Sequence, residues 1–160
     1  MSIGGGGGGG GGRQQLQQLS EAIEAIEGEI AELRAEIESV QEEQREIDEA
    51  IEAIETLETG STVQVPLGGG AYVRAEIAEI DEIIVTLGGG YAAEQPQGDA
   101  IDALENRKDA LDDRIDEIQD EITELESESA ELEEEAQQLQ GQLQQQQMQQ
   151  LQQMQEGDDG

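Results

Sequence analysis

Two stretches of the chain carry apolar residues at alternating intervals of three and four, and this spacing limits what the chain can fold into. The first stretch covers residues 16–54 and is broken at Gln44, and the second covers residues 101–143 and is broken at Lys108 and Ser129. A sustained spacing of this kind gathers apolar side chains on one side of a helix, where a second helix can cover them. Each stretch therefore predicts one long helix of a coiled coil, with the polar breaks as register devices.

The middle of the chain changes from heptad spacing to an alternation of apolar and polar residues, which is typical of β-strands. Two glycine triplets, Gly68–Gly70 and Gly88–Gly90, interrupt the alternation and predict the turns of two β-hairpins. Pro66 has no amide proton, so its strand is an edge or ends its pairing there. Isolated hairpins are at most marginally stable, and we therefore expect these to pair with strands of other subunits. The residues predicted to form this oligomerisation surface are Val63, Val65, Leu67, Tyr72, Val73, Ile77, Ile83, Val85, Leu87 and Tyr91.

These patterns divide the chain into five regions and predict an α+β fold. Residues 1–13 are expected to form a flexible glycine-rich tail, because glycine loses the most backbone freedom on ordering. Residues 14–58 are predicted to be the first coiled-coil helix and residues 62–95 the two hairpins. The second coiled-coil helix is predicted over residues 100–155, followed by an acidic tail at residues 156–160.

A compact insert between the helices brings their ends together, so we expect a long antiparallel coiled-coil hairpin. In that packing Leu16 lies near Leu139 and Ile54 lies near Ile101. Asp99 is a candidate N-cap for the second helix. Past Leu139, the second helix is expected to have no apolar partner on the first.

The charge balance of the chain limits the classes of partner that it can bind. Forty acidic residues against seven basic ones give a formal charge of -33, which repels phosphate backbones and anionic lipid headgroups. We therefore expect neither nucleic acid nor a membrane surface as a partner. Such acidity is typical of a solvated helix surface or of a cytosol rich in salt, where screening over about 3 Å at 1 M removes the self-repulsion. A single Lys among the seven basic residues favours the high-salt interpretation.

The residue types that most enzymes use are missing. The chain has no His and no Cys, so common general bases, thiol nucleophiles and imidazole or thiolate metal ligands are absent from the sequence. Catalysis would have to rest on carboxylates, and no pocket-forming pattern accompanies them. We expect no enzymatic activity, no cofactor and no metal site. The lack of a long apolar run or an apolar leader predicts a cytoplasmic protein.

Scattered apolar residues near the two outer ends of the helices are interspersed with Gln and point to a binding surface. Flexible Leu and Met side chains can repack against varied apolar partners. The alternative is a low-complexity terminus without a role. On the second helix these residues are Leu139, Leu143, Met148, Leu151 and Met154.

Three segments of the sequence resemble one known family. They are VPLGGGAYV at residues 65–73, VTLGGGY at residues 85–91 and ETLE at residues 55–58. Together they resemble the alpha-type subunit of archaeal prefoldin, from a halophile, whose layout is helix, two hairpins, helix. The resemblance covers about residues 14–143; the hairpin segments are specific and the coiled-coil helices are generic.

The resemblance implies a hexamer of two alpha-type and four beta-type prefoldin subunits whose hairpins form an intersubunit β-barrel. It also implies coiled coils that hold unfolded proteins at their tips and deliver them to a group II chaperonin without ATP. The resemblance thus predicts an ATP-independent holdase. The residues it implies as client contacts at the coiled-coil tips are Leu16, Leu19, Ile23, Leu139, Leu143, Met148, Leu151 and Met154. The alternative is a structural coiled-coil tether that binds one specific partner, which would not suppress the aggregation of unrelated proteins.

Overall fold

A computed structural model of the chain describes residues 3–88 and 90–158. Along the chain, a long helix precedes two antiparallel β-hairpins and a second long helix follows them, which confirms the predicted order of elements and the α+β class. The elements are α1 (Ile3–Thr56), β1 (Thr62–Gly68), β2 (Ala71–Glu76), β3 (Ile83–Gly88), β4 (Tyr91–Gln95) and α2 (Gln97–Asp158).

The chain divides into two compact units, each of which contains part of both helices. Unit 1 comprises Met1–Glu36 and Ile118–Gly160, and unit 2 comprises Ile37–Glu117 with both hairpins. Every apolar residue that the heptad spacing assigned to a helix seam is buried or half-buried. The heptad pattern therefore identified the packed side of each helix correctly, because burial follows its period of three and four. The most deeply buried seam residues are Ile26, Ile30, Ile118 and Ile122 in unit 1 and Val40 and Ile47 in unit 2.

Within unit 1, α1 and α2 pack against each other in antiparallel directions. Near one end of the pairing, Arg34 Nη2 donates a hydrogen bond to Glu126 Oε1 at 3.0 Å. Towards the other end, the Leu143 side chain lies against the backbone of Gly12, where an added Cβ would be 2.6 Å from Leu143 Cδ2. Both side chains of the ion pair are exposed, so the apolar seam supplies more of the stabilisation than this pair does.

The helix α1 begins earlier than the sequence predicted. Its bounds start at Ile3 and include the glycine run that we assigned to a tail, whereas the expected start was Gln14. A glycine in a helix costs about 1 kcal/mol relative to alanine, so local propensity opposes this start. The contact between Gly12 and Leu143 favours it, because the bare glycine backbone admits a leucine that a Cβ would displace. Flexibility of the glycine run stays a prediction, and Met1 and Ser2 lie outside the described residues.

Within unit 2, the two polar breaks of the seams meet. Gln44 Nε2 donates hydrogen bonds to the Lys108 carbonyl oxygen at 3.2 Å and to Asp112 Oδ1 at 2.6 Å. Lys108 Nζ lies 2.8 Å from Asp48 Oδ1, and this bond, together with the charge of Asp48, raises the pKa of Lys108. Both polar breaks therefore find polar partners on the opposite helix, and a shift in register would separate them from these partners.

The end of α1 is capped by a side chain that the sequence did not single out. Gln97 Nε2 donates to the carbonyl oxygen of Ile54 at the end of α1, where helical carbonyls have no partner within the helix. The helix α2 begins at Gln97, and Ala100 N donates to the Pro96 carbonyl oxygen at 2.9 Å. Asp99 is therefore in the first turn rather than at the N-cap, where its charge still favours the helix dipole.

The hairpins form two separate two-stranded sheets with the turns at the predicted glycine triplets. In the first, Val63 is opposite Ala75 and Val65 is opposite Val73. In the second, Val85 is opposite Ala93. Gly69, Gly70 and Gly90 all have positive φ angles, which explains the use of glycine in these tight turns.

Candidate binding surfaces

The Gln-rich end of unit 1 contains the eight residues that the sequence assigned to client binding, and they fall into two groups. Five of them are half-buried where α1 and α2 pack together: Leu16, Leu19, Ile23, Leu139 and Leu143. Leu139 shares a groove with Leu19 of α1. The expectation that α2 has no partner on α1 past Leu139 is wrong at Leu143, which lies against Gly12 and shares a groove with Leu16. These five side chains therefore pack within the end of the seam, and only part of each is accessible to a partner.

The other three residues form an exposed apolar surface on α2. Met148 is 68% exposed, Leu151 is 62% exposed and Met154 is 75% exposed. Leu151 and Met154 line a shallow groove with the side chains of Gln147 and Gln150. The two methionines of this surface have long, unbranched side chains, which can adapt to partners of different shape.

The first hairpin of unit 2 offers a second exposed apolar surface. Side chains alternate across a strand, so Val63, Val65 and Val73 share one face, and Val65 and Val73 are exposed there. Leu67 and Tyr72 are also exposed, and Tyr72 is opposite Pro66 on the other face. An exposed apolar sheet face is the kind of surface on which another chain can pack.

In the second hairpin, the predicted oligomerisation residues differ in exposure. Val85 is buried and Ile83 is half-buried, whereas Tyr91 is exposed next to the turn. Leu87 is in β3, but its side chain lies outside the described residues. The sequence did not single out Ile84, which is 68% exposed and opposite Glu94 on the other face of the hairpin. The adjacent pair of isoleucines gave no signal as to which one faces outward.

Ile77 follows β2 and extends the pairing of the first hairpin. Its amide donates to the Ser61 carbonyl oxygen and its own carbonyl oxygen accepts from Gly60 N, both at 2.8 Å. The side chain of Ile77 is half-buried. Its position therefore serves the base of the hairpin as well as any surface offered to another subunit.

Acidic side chains are numerous on both helices. Among the residues that the structure describes, no three of them converge closely enough to hold a metal ion. Within the same residues, neither helix contains a segment long and apolar enough to cross a membrane.

Antiparallel helix pairing, together with two hairpins inserted between the helices, defines a class: coiled-coil proteins with a β-structured insert. The chain belongs to the prefoldin family, since the sequence profile of the prefoldin subunit matches residues 26–142.

Similar proteins agree with this assignment. The prefoldin subunit alpha of Halorubrum lacusprofundi is 71% identical over 49 residues, and that of Haloarcula marismortui is 63% identical over 49 residues. Each match covers 31% of this chain and 32% of the relative, so it spans about a third of the length of these relatives. Both relatives come from halophilic archaea, in agreement with the high-salt interpretation of the acidity.

A solved structure is similar in fold. The cryo-EM structure of filamentous PFD from Methanocaldococcus jannaschii matches with a TM-score of 0.50 at 24% identity. The match covers 74% of this chain and 95% of that chain. At this level of identity the similarity concerns the fold alone.

Proposed function

We propose that this chain is an alpha-type prefoldin subunit that holds unfolded polypeptides without ATP. The observation that carries the proposal is the exposed surface of Met148, Leu151 and Met154 at the Gln-rich end of unit 1. Membership of the prefoldin family supports the same function. The half-buried leucines Leu139 and Leu143 would join the contact only when a client displaces part of their cover.

The surface of one chain is too small for tight binding on its own. Three exposed side chains bury little apolar area, so the affinity must come from several subunits that contact one client at once. A second contact then forms at the high effective concentration set by the first, and each weak contact can still release. This arrangement suits capture followed by release without nucleotide hydrolysis.

The assembly that brings several subunits together is proposed to form through the hairpins. The exposed face at Val65 and Val73 would pack with strands of neighbouring subunits into an intersubunit β-barrel. The proposed complex is a hexamer in which this chain contributes two alpha-type subunits and a partner contributes four beta-type subunits. The client would then pass to a group II chaperonin in the cytoplasm.

No chemical step is part of this function. Holding a client requires only contact surfaces, and the chain lacks the His and Cys residues on which most catalysis depends. The acidic outer faces keep the empty complex soluble and help to orient it on a chaperonin. If that orientation is electrostatic, docking to the chaperonin weakens as the KCl concentration rises.

The proposal is tested by aggregation of an unrelated, guanidinium-denatured protein such as citrate synthase in molar KCl, without nucleotide. The complex that this chain forms should suppress light scattering, and the triple variant Met148→Gln, Leu151→Gln, Met154→Gln should suppress it less. These changes remove apolar surface from exposed positions, so the fold is retained.

The matched control changes three exposed glutamines of the same helix segment, Gln145→Ala, Gln149→Ala and Gln152→Ala. This control should suppress aggregation as the unmodified chain does, and the size of each complex is checked by light scattering coupled to chromatography. If the unmodified complex suppresses nothing, the holdase function is refuted and a tether for one specific partner replaces it.

A further inference from the structure

Carboxylates are distributed unevenly between the ends of the helices. Between Glu135 and Glu156 the sequence contains no charged residue, and on α1 the first carboxylate is Glu21. The acidic residues are otherwise spread along both helices and the hairpins. We use the name carboxylate-free end for Gly11–Ser20 of α1 together with Ala136–Gln155 of α2.

The two parts of the carboxylate-free end lie side by side in unit 1. Leu19 and Leu139 share a groove with Gln15, Gln18, Gln138 and Gln142, and Glu135, the residue just before the carboxylate-free part of α2, also lines it. The next groove contains Leu16 and Leu143 with Arg13, Gln144, Gln147 and Gln150. Glutamines therefore surround the leucine pairs at this end.

Elsewhere in unit 1 the same arrangement carries glutamates. The groove around Leu33 and Leu125 is lined by six of them: Glu29, Glu32, Glu36, Glu121, Glu124 and Glu128. The spacing of the flanking residues about the leucines is similar at both places. Four glutamines of the first groove stand where the second has glutamates, while Glu135 keeps the charge of its counterpart Glu121. Glutamine and glutamate have nearly the same shape and helix propensity, so folding does not explain the change.

The single charge of the carboxylate-free end is positive. Arg13 is exposed and lines the groove with Gln147 and Gln150. None of the ion pairs among the described residues includes Arg13. Its guanidinium group is therefore available for a carboxylate that comes from another chain.

Charges at a contact surface matter even in concentrated salt. At 1 M the screening length is about 3 Å, so distant charges have little effect, whereas charges in direct contact still act on each other. A glutamate within a binding surface would oppose the approach of a carboxylate, and a glutamine can instead donate a hydrogen bond to it.

We propose that the carboxylate-free end binds unfolded polypeptides of net negative charge, an inference that rests on the holdase function proposed above. The glutamines leave the apolar contacts of Leu151 and Met154 open to a carboxylate-rich chain, and Arg13 adds one attraction. The glutamates elsewhere repel such a chain and restrict it to this end. A basic chain, by contrast, finds favourable contacts all along the acidic helices.

The test uses the full chain in the complex that it forms, at 0.5 M KCl, with two labelled probes. One is reduced, carbamidomethylated α-lactalbumin, which is acidic and unfolded, and the other is lysozyme treated in the same way, which is basic. Fluorescence anisotropy measures the Kd of each. Circular dichroism confirms the same helix content in all variants.

The decisive variant is Gln147→Glu with Gln150→Glu, which adds two charges to the groove next to Arg13. Because like charges then meet at contact distance, the acidic probe should bind about fivefold more weakly while the basic probe binds at least as tightly. The matched control is Gln41→Glu with Gln119→Glu, two exposed positions outside the carboxylate-free end that change the net charge equally. It should alter the Kd for the acidic probe by less than about twofold.

Two results would overturn the inference. If the groove variant weakens both probes equally, or if it changes neither Kd, the charge of this end selects nothing, although the holdase function stands. If the unmodified complex binds neither probe, the holdase function itself fails and the inference fails with it.

Discussion

Gly28 and Gly12 both lie within α1, and replacing each with alanine separates local helix propensity from helix packing. An added Cβ at Gly28 would meet no atom within 4 Å, and its φ angle is not positive. Alanine at this position should therefore raise the free energy of unfolding by about 0.5–1 kcal/mol, because it loses less backbone freedom than glycine on folding. At 25 °C this corresponds to about a two- to fivefold change in the folding equilibrium.

At Gly12 the same gain is opposed by a clash. The new Cβ would be 2.6 Å from Leu143 Cδ2 and 3.3 Å from both Cδ1 and Cγ, so the leucine must move. Full burial of a leucine side chain is worth about 1.5–3 kcal/mol, and Leu143 is half-buried, so losing this contact costs about 1 kcal/mol. We expect Gly12→Ala to be neutral or destabilising, with a free energy of unfolding about 1 kcal/mol lower than that of Gly28→Ala.

Both variants are compared with the unmodified chain by urea unfolding in molar KCl, followed by circular dichroism at 222 nm at one fixed protein concentration. The slope of free energy against urea should stay the same, because neither change alters the area exposed on unfolding by much. If Gly12→Ala stabilises the chain as much as Gly28→Ala does, Leu143 does not depend on the bare glycine backbone. The physical reason given for the early start of α1 would then be refuted.

Three further changes test other parts of the fold. Ile118→Ala should lower the free energy of unfolding by about 2–5 kcal/mol in the same urea assay, because Ile118 is fully buried; a loss below about 1 kcal/mol would contradict its place in the seam. Lys108→Met should be destabilising at pH 7–9, and the difference from the unmodified chain should shrink as the pH rises from 10.5 through the raised pKa of Lys108 in the folded chain. The raised pKa of Lys108 gives this sign, because its stabilisation is complete below the unfolded-state pKa and is lost as the ammonium group deprotonates through the folded-state pKa. Thermal unfolding across pH measures that difference, and a difference that grows towards high pH would contradict the assignment. Val65→Asp with Val73→Asp should dissociate the oligomer in light scattering, whereas Gln64→Asp on the opposite face should leave it intact; equal effects would refute assembly through the apolar face.

The sequence predicted the seams and the hairpins because both depend on local periodicity. Ile26 and Ile118 are buried where the heptad spacing assigned them, and the glycine triplets form the turns. The contact of Leu143 with Gly12 depends on the register between the two helices. Glycine has no apolar side chain, so the heptad pattern could not show that α1 extends to Gly12. The cap that Gln97 supplies also depends on the return of the chain to the end of α1.

The candidate binding surface was predicted in part for a related reason. Composition identified the Gln-rich end, but it could not distinguish a leucine that closes the seam from a methionine that faces solvent. Leu139 is half-buried and Met154 is exposed, although both are apolar residues among glutamines. The difference arises from the partner helix, because Leu139 shares a groove with Leu19 of α1, whereas Met154 is 75% exposed.

Packing and charge vary independently along unit 1, and this separation is what makes the binding proposals testable. The leucine pairs continue from Leu33 and Leu125 to Leu19 and Leu139, while the flanking residues change from glutamate to glutamine. Because both residues favour helices, glutamates can be introduced at exposed glutamines without removing any apolar contact. A change in client binding that accompanies such a substitution, at unchanged helix content, must then come from charge at the contact surface rather than from loss of the fold.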